Sequence, residues 1–370
     1  MNDSVCFFTG SQGLTGGTER ACADTARNLC KHGFSVSILS QYQGRASHYI
    51  VGDSVSLEDF YSDRPRGLKG LFGTMWRLLK YVKKNRPKVL IAVESISFIH
   101  FLPLLFIRRR PVLINWEHFN ATINLGIKSR DVARWLAVWF ADNIVVISDR
   151  DAKLWQSRFG CPKSKLSRIY NVNPFDNRTG HQHQIKAYDI RNRIVLAVGR
   201  LTTQKGFDIL IEAWEKIPEY SRNGWSVRIC GEGPDRVSLQ KLINERGLQD
   251  QVYLIGQVAD IEQEYQCAQI FVLSSRFEGF GLVVLEALSF GLPVVSFDCP
   301  AGPSEIIEDG VDGLLIPPEN TNELARALNS LIADDERRGE MAASAMRVRS
   351  QFSDETIALK WSGLLKKFWC

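Results

Sequence analysis

Residues 275–293, SRFEGFGLVVLEALSFGLP, constrain the fold more than any other stretch. An apolar run at 270–273 enters it as a buried strand, and residues 282–290 leave it as an apolar helix. Between them lies the glycine-broken loop Glu278-Gly279-Phe280-Gly281. Gly291 ends the helix and Pro293 bars its continuation. A strand, a glycine-rich loop and a helix start, in that order, present free backbone N–H groups to phosphate. Two carboxylates bracket the turn, Glu278 ahead of the helix and Glu286 one turn inside it. A helical path between them spans about 12 Å along the axis, too far to share one proton. That spacing suits the two ends of one long ligand, such as a nucleoside diphosphate and its attached sugar. The plainer alternative is a pair of exposed glutamates favoured by the dipole of a helix start.

The same order of elements recurs along the chain. Residues 5–9 read as a first strand, followed by the loop GSQGLTGG at 10–17 and a helix at 18–32 that ends at Gly33. The glycine spacing is not G-x-G-x-x-G, and the strand at 35–40 is not closed by the acid that would hold a dinucleotide ribose. The apolar run 89–107 carries Glu94, His100 and Pro103, so it reads as a strand and a short buried helix rather than a membrane span. Strands follow at 112–116 and 143–147, the latter the fifth counted from the start. The strand at 112–116 runs into Glu117-His118-Phe119-Asn120; ligands sit at strand C-termini in such sheets, which makes His118 a candidate functional residue. Ser148 is expected to cap the next helix, with Asp151 at the capping-box position.

Residues 171–193 lack periodicity and read as an interdomain linker, in which His181 and His183 are solvated rather than metal-binding. A strand at 194–198 then restarts the pattern and runs into GRLTTQKG. Arg200 and Lys205 thereby put fixed positive charge beside a helix start, where a diphosphate would lie. More strands are expected at 225–230, 252–255, 294–297 and 314–316, and final helices from about Asn320 and Ser353. Alternating strands and helices in both halves predict an α/β protein of two doubly wound domains. The expected division is 1–175, a linker at 176–193, a second domain at 194–350, and a terminal helix at 351–370 that packs back towards the first.

A chain of 370 residues has the length for two such domains. Its net charge of +5 hides an asymmetry. Residues 1–175 hold 25 Lys and Arg against 13 Asp and Glu, a net +12, and the remainder is −7. Two domains with different partners are implied. The helical stretch 68–85 sets Leu68, Phe72, Trp76 and Leu79 beside Lys69, Arg77, Lys80, Lys83 and Lys84. Such a helix lies on an anionic membrane or forms a solvated domain surface. Eight scattered cysteines form no CxxC pair, and no basic-then-apolar leader opens the chain. A cytoplasmic protein with reduced thiols is expected.

Three motifs then line up. GRLTTQKGFDILIEAW, FEGFGLVVLEALSFGLPVV and PSEIIEDGVDGLLIPP resemble the C-terminal half of glycosyltransferase family 4, and the loop ending GGTER resembles that family's N-terminal signature. The resemblance implies the GT-B fold: two Rossmann-like domains facing across a cleft, the first binding acceptor and the second a nucleotide sugar. It also implies transfer with retention of configuration and without a metal. Arg200 and Lys205 match the family's diphosphate-binding pair, Glu286 the acid on the ribose hydroxyls, and Glu278 the acid facing the donor sugar. Phe280, Gly281, Leu282 and Val283 match the segment over the phosphates and sugar. Gly16 and Gly17 match the N-terminal loop that closes on the donor, and His118 the histidine near the reaction centre. One departure is Ala301-Gly302-Pro303, where many members carry Gly-Gly.

The chemistry agrees with that resemblance. Glycosyl transfer passes through an oxocarbenium-like state while the departing diphosphate gains negative charge. Arg200, Lys205 and a helix N-terminus stabilise that charge in the place of Mg²⁺. Front-face attack, with the leaving phosphate taking the acceptor proton, is expected; Glu278 as a covalent nucleophile is the rival. The expected enzyme moves a hexose or N-acetylhexosamine, most readily from a UDP-sugar, to a glycan or lipid-linked acceptor in cell-surface polysaccharide or lipopolysaccharide synthesis. Its partners are that donor, that acceptor and an anionic membrane surface on the cytoplasmic side. No cofactor, metal or nucleic acid is expected. The competing readings are a sugar-nucleotide 2-epimerase of the same fold and a non-catalytic nucleotide-binding subunit.

Overall fold

The computed structural model of the chain describes residues 3–14, 16–44, 47, 49, 51–124, 126–176 and 191–369. Most of the expected linker, His181 and His183 included, lies outside the described residues. The chain divides into two compact units, one running to Pro174 and resuming at Phe352, the other spanning Phe175–Gln351.

The first unit is built on seven parallel strands: β1 (Ser4–Thr9), β2 (Ser35–Tyr42), β3 (Ser56–Tyr61), β4 (Val89–Val93), β5 (Val112–Trp116), β6 (Asn143–Val146) and β7 (Leu166–Arg168). Their order is β3-β2-β1-β4-β5-β6-β7. From β1 the chain winds one way to β2 and β3, then crosses to β4 and winds the other way. The crevice between β1 and β4 is therefore the topological switch point of this sheet. Central strands are apolar throughout, as VLIAV in β4, because helices cover both faces of a parallel sheet. Strand β3, SLEDFY, was not among the expected strands and makes β6 the sixth rather than the fifth. It lies at the sheet edge and stays half-exposed, so nothing requires an apolar pattern there.

The last helix, Asp354–Lys366, belongs to this first unit. Ser353 caps it through Thr356 N–H at 3.1 Å, and Asn28 donates to Asp354 at 2.7 Å. Trp361 is fully buried, with its ring 5.0 Å from Trp116 and 6.4 Å from Phe7. Burial of one such aromatic contributes about 1.5–3 kcal/mol, which ties the chain end to the central strands β1 and β5.

The second unit has six parallel strands: β8 (Ile194–Val198), β9 (Ser226–Cys230), β10 (Val252–Gly256), β11 (Ile270–Leu273), β12 (Val294–Phe297) and β13 (Gly313–Ile316). Their order is β10-β9-β8-β11-β12-β13, so the switch point falls between β8 and β11. Phe175 packs on Tyr265 and Phe290 at 6.1 and 5.0 Å, inside this unit.

Two local expectations change. Ser148 does cap the helix Asp149–Phe159, accepting from Asp151 N–H at 3.0 Å. The Asp151 carboxylate does not return to the cap. It accepts from Ala121 N–H at 2.7 Å and Trp155 Nε1 at 3.2 Å, pinning the loop after β5. In the helix Gly67–Asn85, Leu79 packs on the core, so the outward apolar side chains are Leu68, Phe72 and Trp76.

Candidate functional site

Both arms of the second switch point end in loops that touch backbone to backbone. After β8 come Arg200, the turn Thr203–Lys205 and the helix Phe207–Lys216. Gly206 joins turn to helix at φ +60°, and a Cβ on it would lie 2.1 Å from the Ser274 carbonyl oxygen. Only glycine allows that approach. Arg276 N–H donates to the Gln204 carbonyl at 2.8 Å, and Gln204 Nε2 to the Phe277 carbonyl at 3.1 Å. Arg276 also grips Asp208 through both terminal nitrogens, at 3.0 and 2.6 Å, and Glu319 through Nε at 3.0 Å. The bidentate fork fixes the loop geometry as well as adding energy.

That zipper sets Lys205 against Glu278. Lys205 Nζ lies 2.6 Å from Glu278 Oε1, and Ser275 Oγ donates to the same oxygen at 2.6 Å. Glu278 is buried, and its Oε2 accepts no hydrogen bond among the described residues. Lysine has three donors, so one contact with Glu278 leaves two for an anion. Arg200 is exposed, and its guanidinium has no side-chain partner among the described residues. The helix Leu282–Ser289 begins just beyond, with Gly281 at φ +87° as its N-cap. The first-turn N–H groups of Leu282 and Val283 have no acceptor within the helix. Phe280 is buried, and a Cβ on Gly302 would lie 2.2 Å from its carbonyl oxygen. The departure at 301–303 thus packs directly on the loop ahead of this helix.

Glu286 is also buried, and Tyr265 donates to its Oε2 at 2.7 Å. The Tyr265 ring stacks on Phe290 at 5.4 Å. Tyr265 and Ser275 were both missed in the sequence. Ser275 sits three residues before Glu278 and was legible from that spacing; Tyr265, on the helix Ile261–Cys267, gives no local signal.

In the first unit, His118 follows β5 and is buried, with its ring 4.2 Å from Trp116. Its Nε2 has no hydrogen-bond partner among the described residues. Burial pushes its pKa down to about 3. Neighbouring Glu117 holds the loop in place. Its carboxylate accepts from Arg134 Nε at 3.1 Å, Ser95 Oγ at 2.5 Å and Phe119 N–H at 3.1 Å. Arg134 then donates to the carbonyls of Asn120, Ala121 and Ile123 at 3.2, 3.1 and 2.9 Å. Losing one partner of so buried a pair costs about 3–5 kcal/mol. Gly16 caps the helix Gly17–Lys31 and donates to Tyr49 at 3.1 Å. His118, Gly16 and Gly17 lie on the first unit, and the other candidate residues on the second.

Two family models match the chain: "Glycosyltransferase Family 4" over residues 15–172 and "Glycosyl transferases group 1" over 176–348. The chain is a glycosyltransferase of the family 4 type. Its two parallel-sheet units are those of the GT-B fold. A solved structure, Anabaena Alr3699/HepE in complex with UDP, aligns with a TM-score of 0.81 at 23% identity, over 99% of this chain and 100% of that one. Among its relatives, the amylovoran biosynthesis glycosyltransferase AmsD of Erwinia amylovora is 27% identical over 95% of this chain and 96% of its own. A Campylobacter jejuni enzyme is 25% identical over 95% of both chains. Its name is GalNAc-alpha-(1->4)-GalNAc-alpha-(1->3)-diNAcBac-PP-undecaprenol alpha-1,4-N-acetyl-D-galactosaminyltransferase. These relatives transfer sugars in glycan synthesis, which does not favour the epimerase or the non-catalytic subunit for this glycosyltransferase.

The His118 environment sets a pH test. A depressed pKa keeps the imidazole neutral from pH 5 to 8, so its C2–H resonance is expected not to titrate in that range. Because the unfolded chain takes up that proton below its own pKa of about 6.5, His118 lowers stability as pH falls through that value. A resonance that titrates near 6.5 would contradict the buried placement.

Proposed function

We propose that this glycosyltransferase moves a hexose or N-acetylhexosamine from a UDP-sugar, with retention and without a metal, to a glycan or lipid-linked acceptor. The contact that carries the reading is Lys205 on Glu278 at 2.6 Å, at the edge of the β8/β11 switch point. The diphosphate lies along Arg200, the two remaining donors of Lys205 and the first-turn N–H groups of Leu282 and Val283. The glycosidic C–O bond to phosphate breaks and that charge grows on the phosphate. The acceptor oxygen attacks from the same face, and its proton passes to the departing phosphate oxygen.

Glu278 is a poor covalent nucleophile here. Its Oε1 is already held by an ammonium and a hydroxyl, which lowers its electron density. Its Oε2 instead receives a hydroxyl of the donor sugar, and Glu286 receives the ribose hydroxyls. Gly16, Gly17 and His118 serve the same reaction from the first unit. Among the described residues no group of three or more His, Cys, Asp or Glu is placed to hold a metal. The relatives in amylovoran and undecaprenol-linked glycan synthesis support the acceptor class, and the UDP complex of the Anabaena protein accords with the donor class.

We test the donor by nucleotide release from a panel of UDP-sugars with excess EDTA present. Release is expected with at least one UDP-sugar, and Arg200→Ala and Lys205→Ala each lower kcat/KM by about 10²-fold or more. Near-parent kcat/KM in both variants, with circular dichroism unchanged, would remove the diphosphate assignment. Activity lost in EDTA and restored by Mn²⁺ would remove the metal-free mechanism.

We propose that the protein works at the cytoplasmic face of a membrane, where a lipid-linked acceptor would be held. No helix among the described residues is long and apolar enough to cross one. The helix Gly67–Asn85 carries five cations and no acid, and Lys80 Nζ lies 3.5 Å over the Trp76 ring. Leu68, Phe72 and Trp76 are exposed there, as are Phe106 and, on the helix Ser129–Phe140, Val132, Trp135 and Trp139. These two helices and the 3-10 helix Ile99–Phe106 pack inner residues, such as Leu78, Ala137 and Leu104, into one core cluster, so they cover the same sheet face. Each cation near an anionic surface adds about 1 kcal/mol. Co-sedimentation with phosphatidylserine vesicles but not phosphatidylcholine vesicles is expected, and the charge reversals Lys80→Glu, Lys83→Glu and Lys84→Glu together abolish it. Equal pelleting with both vesicle types would return the face to solvent.

A further inference from the structure

The two sheets have matching switch points. In the second unit, the β8/β11 crevice holds a cation and a carboxylate, Lys205 and Glu278. In the first, the β1/β4 crevice holds Glu94, which follows β4 directly, and Thr18, on the helix that follows β1. Thr18 Oγ1 donates to Glu94 Oε1 at 3.3 Å, and Arg130 Nη1 lies 3.4 Å from Glu94 Oε2. Arg130 is buried, with its guanidinium carbon 4.5 Å over the Phe119 ring, next to His118.

The Glu94 backbone is strained. It sits at φ +68°, ψ 141°, outside the left-handed helical region that a residue such as Arg86 adopts at φ 48°, ψ 53°. Such a conformation in a non-glycine residue costs about 1–3 kcal/mol and persists where the surroundings enforce it. Glycine would relieve it, so packing alone gives no reason for a carboxylate here. The loop after β5 does not need it either, since Arg134 and Asp151 already hold that loop. Two further facts point to a ligand. Arg130 Nε makes no hydrogen bond among the described residues, and Nη1 makes only the 3.4 Å ion-pair contact with Glu94, although the residue is 5% exposed. The Glu94 side chain itself stays 20% exposed. Burial, with the nearby charges of Glu117 and Glu19, lifts its pKa to about 7 against the pull of Arg130.

We infer that Glu94, backed by Arg130 and oriented by Thr18, binds hydroxyl groups of the acceptor sugar at the switch point of the first sheet. A carboxylate accepts two hydroxyls and the guanidinium offers donors beside it, the complement of a vicinal diol. The inference rests on the proposed transfer to a glycan acceptor. Glu94 is a positioning residue for the acceptor, and donor cleavage is the work of the second unit.

The test compares two rates in one protein. One is hydrolysis of UDP-glucose, UDP-galactose, UDP-N-acetylglucosamine or UDP-N-acetylgalactosamine by water. The other is transfer from the same donor to lipid-linked glycans extracted from membranes of cells that make the protein. Glu94→Gln and Thr18→Val are expected to lower the ratio of transfer to hydrolysis, by about tenfold or more for Glu94→Gln and less for Thr18→Val. A structural defect lowers both rates together and leaves the ratio alone. An unchanged ratio in both variants, each folded by circular dichroism, overturns the inference. If the parent protein hydrolyses a donor but transfers to nothing in the extract, the acceptor reading under it fails first.

Discussion

The architecture depends on one close approach, the glycine backbone at 206 lying on the carbonyl of Ser274. It brings the loop after β8 onto the loop after β11, across the point where the sheet changes winding direction. Strands that diverge leave a crevice open at their C-terminal ends. The contact then sets Lys205 beside Glu278, and the fork of Arg276 on Asp208 holds both loops against thermal opening. Charge, helix N-terminus and crevice coincide because the fold puts all three at one edge. A side chain at Gly206 would separate them.

Much of that was legible because buried parallel strands carry their own signal. Runs such as VLIAV and IVLAV are apolar on both faces and lead towards helices, the second through Gly199. The edges of the first sheet were not legible. Strand β3 reads SLEDFY and β7 only three residues, LSR. An edge strand has one partner and one solvent side, so its composition is free. Asp151 was expected in a local capping box, and a tertiary contact with Ala121 took its carboxylate instead.

The site divides the same way. Arg200, Lys205, Glu278 and Glu286 stand out through spacing around glycine, which is a local property. Tyr265 on Glu286 and Arg130 on Glu94 join residues 21 and 36 apart in sequence, and nothing near either residue announces the partner. Glu94 was read only as an interruption of an apolar run. Its role follows from its backbone angles and from the strand order, neither of which a composition pattern contains. The charge asymmetry, by contrast, was visible at once, and the cations of the helix Gly67–Asn85 account for part of it.

The central claim is that the Lys205–Glu278 pair is the diphosphate end of the donor site. A crystal structure with UDP tests it most directly. The account predicts a β-phosphate oxygen within about 3 Å of Lys205 Nζ and of the Arg200 guanidinium, with Glu278 still in contact with Lys205 and the ribose at Glu286. UDP bound with its phosphates away from Lys205 and Arg200 would contradict it.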